Sequence, residues 1–193
     1  MKTAKSLTDT KNSTFHIRQL TMVGLMTAVI CLLGPIAFNI PFVSPVPISL
    51  GMLGIYLATS ILGMKLGTLS VVIYILLGFA GVPVFTNFTG GASKLLGPTG
   101  GYIIGYIFMA LICGFFINKW ESKPVINFLG MVLGTAVCYL FGTAWLAFQM
   151  SKTFPQALMI GVIPYIPFDL VKLLLALVLG SQVRKRLKKA GLI

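Results

Sequence analysis

The stretch that decides the fold is "PYIPFDLVKLLLALVLG", Pro164 to Gly180, an apolar run with only two charges, Asp169 and Lys172, near its start. Residues three apart share one face of a helix, so both charged groups can reach one pocket. A charge at the centre of a membrane span costs about 2.5–3.5 kcal/mol, whereas an ion pair at this spacing stabilises an exposed helix by only about 0.2–0.5 kcal/mol. Two interpretations remain: the two side chains pair only with each other and stabilise the helix, or they bind a polar ligand. A ligand better explains why charges with so high a free-energy cost occur in the span.

The whole chain has the composition of a multi-pass membrane protein, because 57% of its 193 residues are hydrophobic and only 9% are charged. Apolar runs of about 20 residues predict six membrane-spanning helices. Their predicted bounds are 18–38, 48–64, 67–82, 100–118, 125–149 and 167–184. We therefore predict an all-α integral membrane protein whose single transmembrane domain covers residues 1–193, with the six-helix bundle at 18–184.

The distribution of basic residues orients the predicted bundle. The formal net charge is +12, and of the 15 lysines and arginines all but Lys94, Lys152 and Lys172 lie in the two tails, at the tail-side ends of the first and last spans, or in the loops after the second and fourth spans. By the positive-inside rule both termini face the cytoplasm, so residues 1–17 form a cytoplasmic tail and residues 185–193 a basic one. Because these residues flank apolar runs and form no face with interleaved aromatics, we expect no binding of nucleic acid.

The three loops on the predicted outer side are long and rich in glycine and proline, and we expect them to form a lid over a binding site. They read "NIPFVSPVPIS", "GVPVFTNFTGGASKLLGPTG" and "MSKTFPQALMIGVIPYIP". In the second loop, Gly90 and Gly91 allow close backbone approach to a ligand and Asn87 offers a neutral donor and acceptor, although a tight connector explains them equally well. In the third, "TFPQALMIGV" predicts a short interfacial helix, and Pro167 suits the first turn of the last span.

The acidic residues are too few for an active site or a metal site of the common kinds. Asp169 is the only one in a predicted span, since Asp9 lies in a tail and Glu121 in a loop, so neither a carboxylate pair nor an oxygen-ligand metal site can be built. The cysteines show no CxxC or Cys/His pairing, and no phosphate-binding G-x-x-x-x-G-K-[ST] motif occurs. We therefore predict no catalysis, no metal site and no use of ATP by the chain itself.

Small residues four apart recur in the predicted spans and permit close helix contact. The pairs are Gly24 with Ala28, Gly101 with Gly105, and Gly130 with Gly134. Such pairs serve either internal packing or contact with another protein, and the sequence leaves both open.

Four motifs follow one another along the chain: "PVPISL", then "GFAGVPVF" leading to "TGG", then "GPTGGYIIGY", and finally "GVIPYIPFDLVK". This series resembles the BioY family, the biotin-binding S components of energy-coupling factor (ECF) transporters. The resemblance implies a six-helix S component in a bacterial cell membrane, which captures biotin from outside and works with a transmembrane coupling protein and two ATP-binding-cassette ATPases. It implies no cofactor, since ATP is used by the partner subunits only.

The resemblance also implies roles for single residues. It places biotin binding at Asp169 and Lys172, and contact with the coupling protein at Gly24 and Ala28. With the loop residues and the outer aromatics, the predicted biotin site comprises Asp169, Lys172, Asn87, Gly90, Gly91, Phe85 and Tyr165. An ionised aspartate offers only acceptors and suits the ureido N–H groups of biotin, while the lysine suits its carboxylate or its ureido oxygen.

Two other classes of protein also fit these residues. In a self-sufficient secondary permease for a small carboxylate-bearing metabolite, Asp169 would carry a coupling proton, although such permeases normally show inverted repeats, which the two halves of this sequence do not display. A structural or pore-forming protein would bind no ligand at all. Biotin binding by the purified chain would exclude a structural or pore-forming protein. Dependence of transport on ATPases separates an S component from a self-sufficient permease.

Overall fold

The computed structural model describes residues 2–38 and 47–193, with side chains from residue 17 onward. In chain order the elements are α1 (Lys2–Leu33), β1 (Ala37–Phe38), β2 (Ile48–Ser49), α2 (Gly51–Phe79), α3 (Ala92–Leu96), α4 (Gly100–Lys119), α5 (Pro124–Gln149), α6 (Phe154–Gly161) and α7 (Ile166–Lys189). A single 3-10 turn, Ile163–Tyr165, joins the last two helices. Apart from the two-residue ladder of β1 and β2, every described element is helical, so the predicted all-α fold is confirmed.

The helices have the length and composition of membrane spans. Among the described residues, four helical segments are long and apolar enough to cross a membrane: α2, α4, α5 and the stretch Phe154–Lys189 that contains α6 and α7. The apolar part of α1, Ile17–Leu33, is a shorter fifth. Since α2 covers two of the predicted spans, each of the six corresponds to a long helix or to one arm of α2.

The helix α2 consists of two arms that meet at a sharp break. Gly63 interrupts it with a φ of 79°, a conformation that residues with a side chain rarely adopt. The chain reverses there, because a Cβ on Gly67 would lie 2.8 Å from the Cα of Thr59, whereas residues eight apart in a straight helix are separated by about 12 Å. The turn is therefore at Gly63, and residues 65–66, which were predicted to link the two spans, belong to the second arm.

The predicted first span, 18–38, ends too late, and the predicted tail is helical. The helix α1 begins at Lys2 and ends at Leu33, two residues before Pro35, and a proline disfavours the helical conformation of the residue before it. Ala37 and Phe38 then pair with Ser49 and Ile48 in the β1–β2 ladder. The predicted first outer loop lies mostly at 39–46, outside the described residues.

The short helix predicted in the third outer loop is confirmed by α6. Thr153 and Gln156 form a capping box at its start, in which the Thr153 N–H donates to Gln156 Oε1 at 3.1 Å. Pro167 lies in the first turn of α7, as predicted. The segment between α5 and α7 therefore contains a helix of its own, α6, which packs against α5.

The small-residue pairs of the sequence divide into two kinds. The helix α2 packs against α1, α4 and α7, and α4 packs against α5. At the α4–α5 contact, a Cβ on Gly105 would lie 3.1 Å from Cys138 Sγ, and one on Gly134 would lie 2.8 Å from Cys113 Sγ, so these pairs serve internal packing. Gly24 and Ala28 of α1 are instead exposed, and a Cβ on Gly24 would meet no described atom within 4 Å.

Candidate ligand-binding site

A polar cavity lies at the end of the bundle where the loops after α1, α2 and α5 meet. Its walls come from β2, the first turn of α2, the loop after α2, α4, α5 and the start of α7. The enclosed space is about 50 Å³, which holds a few water molecules. Its polar wall includes Ser49, Tyr102, Tyr106, Asp169 and Lys172.

The charged pair predicted from the sequence lies in this cavity. Lys172 Nζ is 2.7 Å from Asp169 Oδ1, and the two residues are only 6% and 5% exposed. The same ammonium donates to the backbone carbonyl oxygen of Ser49 at 2.7 Å. Because burial removes both charges from water, these close partners are needed to hold them inside the bundle.

A third side chain, Tyr139 of α5, binds the other oxygen of the carboxylate. Its hydroxyl donates to Asp169 Oδ2 at 2.5 Å, within the range of short hydrogen bonds to charged acceptors. The carboxylate is thus held from α5 by Tyr139 and from α7 by Lys172. The pair is therefore part of a network that joins three elements of the fold, rather than an isolated i,i+3 contact.

Local structure explains why Ser49 presents its carbonyl oxygen to Lys172. The Ser49 hydroxyl donates to the carbonyl oxygen of Gly34 at 2.8 Å and accepts from the N–H of Gly51 at 2.9 Å. The same residue pairs with Ala37 in the β1–β2 ladder. This part of the "PVPISL" motif is therefore fixed at both its side chain and its backbone, so the acceptor for the ammonium has a defined position.

Tyrosines form much of the remaining wall. The Tyr102 hydroxyl of α4 donates to the carbonyl oxygen of Gly161 at 3.0 Å, which ties α4 to the end of α6. Tyr165, one of the predicted site residues, is buried and lines the cavity just before α7. Aromatic rings with a polar tip suit a ligand that has an apolar body and polar ends.

The other four predicted site residues do not line the cavity. The ring of Phe85 is buried edge-on against Tyr74, with a centroid distance of 5.6 Å. The following loop is stabilised by its own backbone: the Asn87 N–H donates to the Pro35 carbonyl oxygen at 3.1 Å, and the Gly91 N–H to that of Gly78 at 2.7 Å. Gly90 lies against the backbone of residue 82.

In this structure the loop that contains these four residues contributes Thr86 to the lining, and the four themselves shape the loop. Their part in ligand binding stays a prediction. The glycines fit the alternative of a tight connector, because Gly91 has a φ of 89°, a conformation that favours glycine.

Sequence reasoning missed Tyr139 and Ser49, which bind the charged pair directly. Tyr139 is a polar group inside an apolar run, and a hydroxyl in such a place needs a partner. That signal identifies the residue but not its partner, 30 positions away in the chain. Ser49 acts through its backbone carbonyl oxygen, which no residue type reveals.

A second charged cluster lies at the opposite end of α7. Arg184 Nε and Lys188 Nζ lie 3.0 Å and 2.5 Å from the two oxygens of Glu121, and Arg184 also donates to the Ile61 carbonyl oxygen at 2.9 Å, beside the break in α2. Burial works to raise the pKa of the Glu121 carboxyl, but the hydrogen bonds from Lys188 and Arg184 outweigh it and hold that pKa below its ordinary value. The cluster fastens the loop between α4 and α5 to the end of α7.

The fold and the cavity define a class of protein: a multi-pass helical membrane protein with a small, charged and hydroxyl-lined site at one end, of the kind that binds a polar solute. Within the described residues no group of three or more His, Cys, Asp or Glu side chains could hold a metal ion. Residues 5–189 match the model of the BioY family. The chain belongs to the BioY family.

Relatives and a solved structure agree with this assignment. The biotin transporter BioY of Thermotoga maritima is 39% identical over 169 residues, which are 88% of this chain and 97% of that protein. The biotin transporter BioY of Lactococcus lactis is 35% identical over 180 residues, 88% of this chain and 92% of that one. A crystal structure of the S-component for biotin from an ECF-type ABC transporter matches with a TM-score of 0.81 and 34% identity, covering 88% of this chain and 92% of its own.

Proposed function

We propose that this chain is a biotin transporter, the S component of an ECF-type ABC transporter, and that it binds biotin in the cavity around Asp169 and Lys172. The observation that carries the proposal is the buried ion pair of a BioY family member, placed in the wall of a cavity rather than inside close packing. The chain is a substrate-binding component and not an enzyme.

The ion pair keeps hydrogen-bonding capacity for a ligand. A carboxylate has about four acceptor positions, and the described residues give the Asp169 oxygens one donor each, Lys172 and Tyr139. An ammonium has three donors, of which two go to Asp169 and Ser49. The pair can therefore accept from the ureido N–H groups of biotin and donate to its ureido oxygen or its carboxylate.

The loops at this end act as a lid in our proposal. A cavity of about 50 Å³ is smaller than a bicyclic ligand with an acyl tail requires, so biotin can enter only when lining side chains or loops move apart. The loop that carries Asn87, Gly90 and Gly91 reaches the cavity through Thr86. Movement of this loop would bring its neutral hydrogen-bonding groups to the ligand, as the sequence predicts.

The cavity end faces the outside of the cell membrane in this proposal, and both termini face the cytoplasm. Lys119, Lys123 and the basic end of α7 lie at the other end, as expected for a cytoplasmic face. The transmembrane coupling protein, which works with two ATP-binding-cassette ATPases, binds the exposed face of α1 around Gly24 and Ala28. Small residues let two helices approach closely, and no described residue covers this face.

Calorimetric titration of the purified protein in detergent with biotin tests the proposal. We expect tight one-to-one binding, and no binding would refute the function. Uptake by cells should require the coupling protein and the ATPases. Transport by the chain alone in ATP-free vesicles would identify it as a self-sufficient permease in which Asp169 carries a proton.

A further inference from the structure

Tyr139 lies between the ligand cavity and a second, apolar space, and this position suggests a role beyond packing. A groove of about 190 Å³ runs between α5 and α7, with Ala136 on one side and Ile166 and Leu170 on the other. Tyr139 and Asp169 line both this groove and the polar cavity. The hydrogen bond between them is therefore part of the wall that separates the two spaces.

The groove also affects how the Asp169 carboxylate is held in position. Where helices pack closely, neighbouring side chains restrict a carboxylate even without hydrogen bonds. Such close packing is missing on the side of Asp169 that faces the groove. The position of Oδ2 therefore depends on the Tyr139 hydroxyl, which lies 2.5 Å away. Lys172 alone, three residues along the same helix, holds only Oδ1.

We propose that Tyr139 is a positioning residue for ligand binding: its hydroxyl fixes the Asp169 carboxylate in the orientation that accepts the N–H donors of the ligand. This inference rests on the proposed function. Tyr139 acts on the ligand through Asp169, so its contribution to affinity should vanish when Asp169 can no longer act as a charged acceptor. Such dependence distinguishes it from a residue that touches the ligand directly.

Tyr56 offers a matched control. Its hydroxyl is buried and lies 2.6 Å from Thr135 Oγ1, and it lines the groove but not the cavity. Tyr56→Phe therefore removes one buried hydroxyl from the same region without touching the hydrogen bonds of Asp169.

The first test is a double-mutant cycle on the dissociation constant of biotin, with Tyr139→Phe in the parent and in Asp169→Asn. We expect Tyr139→Phe to weaken binding about tenfold in the parent, as for the loss of a charge-assisted hydrogen bond, and less than about twofold in Asp169→Asn. Tyr56→Phe should change it by less than about twofold. Equal losses in both backgrounds, or no loss in the parent, would overturn the inference.

The second test needs no ligand, so it decides the positioning claim even where Asp169→Asn binds too weakly for a dissociation constant. Asp169 and Asp9 are the only aspartates of the chain, so selective ¹³C labelling of aspartate carboxyls gives two resonances, and Asp169→Asn assigns them. Tyr139→Phe should shift the Asp169 resonance while Tyr56→Phe leaves it in place. An unshifted resonance in Tyr139→Phe refutes the positioning role, whereas a shift without biotin binding by the parent refutes only the proposed function.

Discussion

Replacing Lys172 by methionine should reduce both folding stability and biotin affinity, and a second substitution should separate the two effects. The ammonium lies 2.7 Å from both Asp169 Oδ1 and the Ser49 carbonyl oxygen. Its loss leaves a buried carboxylate with Tyr139 as its one described partner, and breaking a buried pair in this way costs about 3–5 kcal/mol. If the lysine also donates to biotin, affinity falls about tenfold to a hundredfold, for about 1.5–3 kcal/mol of charge-assisted hydrogen bond.

The double variant Asp169→Asn/Lys172→Met removes both charges and restores most of the lost stability, because a neutral replacement of a buried pair is often tolerated. It should not restore biotin binding. Thermal unfolding in detergent measures the first effect, calorimetric titration with biotin the second, and Lys152→Met, at an exposed loop lysine, controls for loss of a cation. A double variant as stable as the parent that also binds biotin like the parent would show that the pair is structural and that the site lies elsewhere.

Three further predictions concern the charged pair, the exposed face of α1 and the charged cluster at Glu121. Lys172→Ala should weaken binding of biotin amides less than binding of biotin if the lysine pairs with the carboxylate, and equal losses would assign it to the ureido oxygen. Gly24→Leu should leave biotin binding nearly intact but impair assembly or uptake. The control Gly101→Leu should unfold the protein, because a Cβ there would lie 2.2 Å from Trp145 Cβ. Loss of binding and assembly together in Gly24→Leu would contradict an interface role. The folded structure lowers the pKa of Glu121. The stabilisation of the folded protein by this carboxylate is therefore present above the ordinary carboxyl pKa and is lost as the pH falls through the lower folded value. Glu121→Gln should remove that part of the decline in thermal stability at acidic pH.

The sequence predicts the helical fold and the charged pair well, because both depend on local signals. Apolar length determines the spans, and two charges three residues apart in such a run have to share a face and find partners. The break at Gly63 was harder to place. Its flanks are helical on both sides, so hydropathy gives two spans but not the residue at which the chain reverses, which depends on a positive φ.

The cavity wall depends on contacts between distant parts of the chain, which residue types alone do not reveal. Tyr139 reads as one more aromatic in an apolar span until the fold brings α5 next to α7. Phe85 and the glycines of its loop read as ligand contacts because close backbone approach and aromatic surface serve a tight turn and a binding site equally well. The contact of Phe85 with Tyr74 and that of Gly90 with the backbone of residue 82 were not predictable from residue types.

The two charged clusters of α7 have a mechanical consequence. Asp169 and Arg184 are separated by about 22 Å along a continuous helix, and each is bound to a different neighbouring element. Because α7 is fixed near both of its ends, we expect it to resist tilting unless one of the two charged clusters is broken. The loop after α2 is held instead by neutral backbone hydrogen bonds, such as those from Asn87 to Pro35 and from Gly91 to Gly78. We therefore expect α7, and with it Asp169 and Lys172, to keep its position when the loops over the cavity move to admit a ligand.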